Sequence, residues 1–215
     1  MGDNKVRTKV ILVRHGECKG NREGLFRGRS DFPLNEQGLI QAKELAIEMK
    51  QYNPFRIFTG PLSRASQTAL IIGRECHTEI EIREGINNIE LGPWEGQAKQ
   101  VIAREYPEQW EIWLNKPEKL SVPGIETLQQ VQKRARKELD RIVKDFNGKT
   151  VIIVSHRAVL KPLIASCLKI SKPYFWRIHI DTAAYSILHY KKGLGYTLVQ
   201  LNQNRHLSEF ISEWV

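Results

Sequence analysis

The chain has 215 residues, 41% of them hydrophobic, and carries 33 Lys and Arg against 24 Asp and Glu, a formal charge of +9. That content fits one globular domain, 1–215, with a sizeable core, and the scattered Cys18, Cys76 and Cys167 give no CxxC pair, so neither a disulfide framework nor a zinc ribbon is indicated and a reducing cytoplasm is expected. No stretch approaches the ~20 apolar residues of a membrane span, the polar opening MGDNKVRTKV leads into too few apolar residues for a signal peptide, and Val6 makes it a poor myristoylation signal, which together predict a soluble, unanchored protein.

Taken in chain order, VILV (10–13) is a strand that ends on Arg14 and His15, with Gly16 directly behind them. Residues 38–50 place Leu39, Ala42, Leu45, Ala46 and Met49 on one helical face. RIFT (56–59) is a second strand, followed by a helix from about Pro61 that turns Ala65, Ala69 and Ile72 inward, and EIEI (79–82) is a candidate third strand. From 83 to 124 Gly, Pro and Trp interrupt the pattern, predicting a loop-rich insertion over the site with one helix around 99–114. Residues 126–146 form a long helix stopped by Asn147-Gly148, and VIIV (151–154) is a buried strand that also ends on a polar pair, Ser155-His156. A helix over 158–168, strands over 183–190 and 196–201, and a short helix in the tail complete the reading.

Alternating strands and helices predict a three-layer α/β/α sandwich around a mostly parallel central sheet, with one antiparallel edge strand near the C-terminus. Ligands of such sheets bind beyond the carboxyl ends of the strands, where both polar pairs lie. If the two strands are neighbours and the helix bearing Arg64 starts beside them, Arg14, His15, Arg64 and His156 converge on one pocket. Guanidinium forks at that density suit a dianionic phosphate, and a neutral imidazole among them suits a nucleophile at phosphorus. Gly16 is expected to let the backbone approach the phosphate. No HExxH or DxDxDG-type cluster is present, so neither metal nor cofactor is expected. The excess of positive charge fits a small phosphorylated substrate. Nucleic acid finds no support, because the Lys and Arg are dispersed and no zinc finger, RNP-type motif or basic arm occurs.

VRHGE (13–17), Asn21 and FRGRSDFPLNEQG (26–38), with TGPLSRASQTA (59–69), LGPWEG (91–96), PGIETL (123–128) and VSHRAVLK (154–161), resemble the histidine phosphatase superfamily, which includes the phosphoglycerate mutases. The resemblance covers almost the whole chain. It implies that His15 is the phosphorylated nucleophile and that Arg14, Arg64 and His156 complete the phosphate pocket. It further implies that Asn21 and Arg27 line the mouth and that Ser155 supports His156. Glu17, within the motif, is read as supporting the site without reacting, and Glu95, in the WEG turn, as structural.

Two positions depart from the family pattern. The proton donor is usually a glutamate where this chain has Asn88, and an amide cannot supply that proton. Glu90, two residues on, would project to the same side in an extended segment and is the candidate acid. Arg157 stands where relatives commonly have glycine. The expectation is a metal-independent phosphomonoesterase working through phosphohistidine. The alternatives are a phosphoglycerate mutase, or a module that binds phosphorylated ligands with catalysis weakened at Asn88. Which ester is cleaved, and the oligomeric state, a homodimer included, are left open.

Overall fold

The computed structural model describes residues 7–213; the N-terminal residues on which the myristoylation reading turned lie outside the described residues. Strand β1 (Thr8–Arg14) pairs in parallel with β4 (Thr150–Ser155), which pairs in parallel with β2 (Arg56–Thr59), and β2 with β3 (Ile80–Ile82). On the other side of β1 lies β5 (Tyr185–Lys191), antiparallel to it, and then β6 (Gly195–Gln203), giving the order β3-β2-β4-β1-β5-β6. The antiparallel strand is therefore not the edge: the tight turn after β5 sends β6 back along the outside, parallel to β1.

Helices α1 (Glu36–Met49) and α2 (Ser63–Cys76) cover one face of the sheet, and α5 (Leu128–Asp145) and α6 (Arg157–Leu168) the other. The continuous apolar runs of β1 and β4 are explained by this double cover. Ile11, Val13, Ile152 and Val154 pack with Leu45, Met49, Ala65 and Ile72, while Val10, Leu12, Val151 and Ile153 pack with Leu139, Val143, Leu160 and Ile164. Each such side chain, fully withdrawn from water, contributes roughly 1.5–3 kcal/mol. Leu39, assigned to the apolar face of α1, is 39% exposed instead.

Capping residues set the helix starts. The Asn35 side chain accepts from the Gly38 backbone N–H, so α1 begins two residues earlier than periodicity indicated. Thr127 and Gln130 form a reciprocal capping box that starts α5. Pro61 precedes α2 rather than opening it; the carboxylate of Asp31 accepts from the Ser63 N–H and hydroxyl, tying the 26–34 loop to the helix that carries Arg64.

Within the insertion the expected single helix is two, α3 (Lys99–Glu105) and α4 (Pro107–Asn115). They break at Tyr106 because Pro107 has no N–H to continue the ladder and restricts the residue before it. Trp94 and Trp113 are core residues packed around Phe26, at ring separations of 5.1 and 5.5 Å. The tail over 204–213 forms no helix and crosses the carboxyl ends of the strands as an irregular segment. Among the described residues no helix is long and apolar enough to cross a membrane.

Candidate active site

The register Arg14↔Ser155 ends β1 and β4 level with each other, and the His15 N–H donates to the Ser155 carbonyl at 3.1 Å. The next residue on each strand is a histidine, so the His15 and His156 rings meet at 5.1 Å between centroids. Both are about 2% exposed. His15 Nδ1 lies 2.6 Å from the Gly16 carbonyl oxygen, which only accepts, so Nδ1 carries the proton and Nε2 keeps its lone pair. Burial, with Arg64 and Arg14 adding repulsion, holds His15 well below its ordinary 6.5; burial, Arg64 and His15 do the same for His156. Both imidazoles are therefore neutral at neutral pH.

Two arginines flank them. Arg14 is fully buried; one Nη donates to the Ile180 carbonyl at 2.9 Å and the other pairs with the Glu213 carboxylate. Arg64, also fully buried, donates to the carbonyls of Ser30 at 2.9 Å and Gly28 at 2.7 Å. Burial lowers it to about 10, leaving it charged at neutral pH. Among the described residues, the Nε of each arginine and both ring nitrogens of His156 have no hydrogen-bond partner. Unsatisfied buried N–H donors on two guanidiniums beside a pair of neutral imidazoles are what an oxyanion requires.

The mouth is built from distant segments. Around a cavity of about 60 Å³ stand Arg27 and Gly28, Asn88, Lys99, Trp113, Arg157 and Glu213. Asn88 donates to the Gly28 carbonyl at 2.7 Å, and its own side-chain carbonyl oxygen has no partner among the described residues. Gly28 adopts a left-handed conformation (φ +48°) and receives both Arg64 and Asn88, so one carbonyl links floor and mouth. From α5, Arg134 donates to the carbonyls of Gly85, Asn87 and Asn88 and pairs with Glu126, fixing the segment that presents Asn88. Arg157 donates to the Glu213 carbonyl at 2.7 Å and lies 5.8 Å from the Trp176 ring centre. Burial lowers Arg157 to about 10 and Lys99 to about 8.

The structure thus brings together Arg14, His15, Arg64, His156, Arg27, Asn88 and Arg157, with Asn21 beside them through its 2.8 Å bond to Glu213. It does not bring Glu90. That side chain is 55% exposed and paired with Arg29 at 3.2 Å, outside the cavity lining. The strand-like alternation fails because the Glu90 carbonyl is drawn to the Glu126 N–H, while Asn88, Ile89 and Leu91 all face inward. Ser155 does not support His156; its hydroxyl donates to the Ile86 carbonyl at 2.8 Å and pins the segment leading to Asn88. Gly16 also answers a packing need: a Cβ there would lie 2.6 Å from the Gly38 carbonyl oxygen, so the close approach of α1 demands glycine. Glu17, buried, accepts from Arg22 and Asn35, and Glu95 accepts from the Arg29 and Leu91 backbone N–H groups.

Sequence reasoning missed Lys99, Arg134 and Glu213. The first two sit at helical positions with no local mark of function. Glu213 belongs to a tail without periodicity, and its partners are more than 50 residues away.

Comparisons with known proteins identify the family and the fold. The family model of the histidine phosphatase superfamily (branch 1) matches residues 10–204. Phosphoserine phosphatase 1 of Hydrogenobacter thermophilus is 33% identical over 205 residues, covering 95% of this chain and 97% of that protein. Among solved structures, Bacillus stearothermophilus YhfR superposes with a TM-score of 0.89 at 28% identity, over 94% of this chain and 100% of the other. A mutant phosphoserine phosphatase from Entamoeba histolytica in complex with phosphoserine superposes with a TM-score of 0.83 at 26% identity, over 93% and 99%.

Proposed function

Since this chain belongs to the histidine phosphatase superfamily (branch 1) and is a phosphatase acting on phosphate esters, we propose that it hydrolyses small phosphomonoesters through a phosphohistidine on His15, without a metal ion. The observation that carries the reading is the fixed tautomer of His15: Nδ1–H is committed to the Gly16 carbonyl, so a neutral Nε2 is available among two buried guanidiniums. In the first step Nε2 attacks phosphorus, the P–N bond forms and the ester P–O bond breaks with its electron pair on the leaving alkoxide, which takes a proton from water, while Arg14 and Arg64 stabilise the equatorial oxygens. In the second, water attacks the phosphohistidine, the P–N bond breaks, and inorganic phosphate leaves as His15 is restored.

Protonation of the leaving alkoxide distinguishes this chain. Asn88 stands in the cavity lining where an acid would serve, and Glu90 is turned to solvent, so neither supplies the proton. Absence of a general acid typically costs ~10²–10⁴ in rate with poor leaving groups and little with good ones. Rates should therefore fall steeply from aryl to alkyl phosphates. At the mouth Arg27 and Arg157 add positive charge to that of Arg14 and Arg64, which favours an ester carrying a second anionic group. Phosphoserine is the first such ester to test, because relatives bear that name.

The same Asn88 favours a second reading, in which the pocket binds phosphorylated ligands without turnover. Hydrolysis of p-nitrophenyl phosphate and phosphoserine in the presence of a chelator separates the two. Wild type is expected to cleave the aryl ester readily and phosphoserine slowly, and His15→Ala to lower both by about 10³ or more. Full activity in His15→Ala, or activity only with added metal, contradicts the proposal; no turnover of either ester supports the binding module.

A further inference from the structure

Among the described residues that line this pocket, Glu213 carries the one carboxylate, in a site otherwise built for anions. One oxygen pairs with Arg14 and accepts from the Asn21 amide at 2.8 Å; the other faces Arg27 at 3.3 Å. Burial alone would raise this carboxyl, yet Arg14, Arg27 and Arg157 hold it well below the ordinary range, so it is ionised. An ionised carboxylate this deep is costly unless charge and hydrogen bonds compensate, and here they come from side chains that the catalytic reading gives to the substrate phosphate.

The seat does not depend on the carboxylate alone. Behind it Arg157 donates to the Glu213 carbonyl, and the Ser212 hydroxyl donates to Asp181 at 2.8 Å. Further back, Gln41 donates to the Glu209 carbonyl at 3.1 Å. The tail is thus fastened along its approach, and the side chain of Glu213, at the end of the described residues, enters the pocket. With it in place the free volume of about 60 Å³ is far below the ~300 Å³ at the small end of ligand pockets. A phosphate ester cannot take Arg14 and Asn21 while Glu213 holds them.

We propose that Glu213 is an affinity-determining residue that competes with the substrate: its carboxylate occupies the phosphate donors and must withdraw before an ester is attacked. This rests on the reading that the pocket takes phosphate. It makes apparent affinity the intrinsic affinity multiplied by the fraction of molecules whose tail is out. Expulsion favours ligands that offer more charge and more acceptor oxygens than a carboxylate, so the tail discriminates for phosphate dianions over carboxylates.

The test is titration calorimetry with inorganic phosphate, which needs no turnover, on the full chain carrying Glu213→Gln or Glu213→Ala. Both variants are expected to bind phosphate about tenfold tighter, the gain for a pocket that is open about a tenth of the time. The KM for p-nitrophenyl phosphate should fall in parallel, without a loss of kcat. Glu209→Gln, which loses only an exposed pair with Arg22, controls for loosening of the tail and should leave phosphate affinity unchanged. Unchanged or weaker phosphate binding in both Glu213 variants overturns the proposal, as does an equal gain in Glu209→Gln. Because binding is read directly, full activity in His15→Ala would overturn the catalytic reading while leaving this result to stand or fall by itself.

Discussion

At the floor of the pocket Arg14, His15 and His156 stand at the ends of two paired strands and Arg64 in the first turn of a helix, each held by backbone carbonyls or strand register. At the mouth, Arg27, Asn88, Lys99, Arg157 and Glu213 come from a loop, an irregular segment, two helix starts and the tail. The floor is fixed by elements that cannot move without breaking the core. The mouth is fixed by side chains bonding to one another, so its composition can change while the floor keeps its geometry. On the proposed mechanism, phosphoryl transfer belongs to the first region, and choice of ester and strength of binding to the second.

Breaking the floor has the largest expected effect. Arg64→Ala removes a buried cation and leaves the Gly28 and Ser30 carbonyls short of a donor. Activity on p-nitrophenyl phosphate should fall by about 10²–10³, and stability by roughly 1–3 kcal/mol in denaturant titration. Changing the mouth should alter selectivity instead. Asn88→Glu puts a carboxyl where its protonated form can donate to the Gly28 carbonyl, as the amide does now. Phosphoserine hydrolysis should rise at least about tenfold relative to p-nitrophenyl phosphate; a loss on both esters would mean that position 88 only supports the loop.

Two further changes probe the floor through stability. Gly16→Ala drives a methyl against the Gly38 carbonyl and should cost roughly 1–3 kcal/mol, visible as a lower Tm. Acidification acts through the histidines: folded His15 and His156 have pKa values below the unfolded 6.5, so below pH 6.5 the unfolded chain binds more protons. The folded state therefore keeps its stability above that pH and loses it as pH falls, by up to about 1.4 kcal/mol per unit for each histidine, until the folded pKa is reached. His156→Gln should flatten the Tm profile between pH 6.5 and 5. The smallest effect is expected from Glu90→Gln, whose exposed pair with Arg29 should be worth within about 0.5 kcal/mol and whose loss should leave activity on both esters within about twofold.

The same division decides how much of the molecule the sequence made legible. VILV and VIIV read as buried strands because their apolar runs are continuous, and the polar pair after each run marked the floor before any contact was known. Helix starts slipped by two or three residues where a cap decided them, as at Asn35, and the insertion helix split where Pro107 overrode its periodicity. Position 90 was misread because alternation holds only in a regular strand, and the segment after Asn87 follows hydrogen bonds to Glu126 and Arg134 instead. Glu213 had no local signal at all: its place is set by charges on residues 14, 27 and 157, which only the fold brings together.

The central claim is that His15 carries the phosphoryl group between substrate and water. Rapid quenching of the wild-type enzyme during turnover of p-nitrophenyl phosphate, followed by peptide mapping under alkaline conditions that preserve phosphohistidine, tests it directly. A phosphoryl adduct on His15, present in wild type and missing from His15→Ala, is the predicted result. Turnover without an adduct on His15, or with the adduct on another residue, would contradict the account.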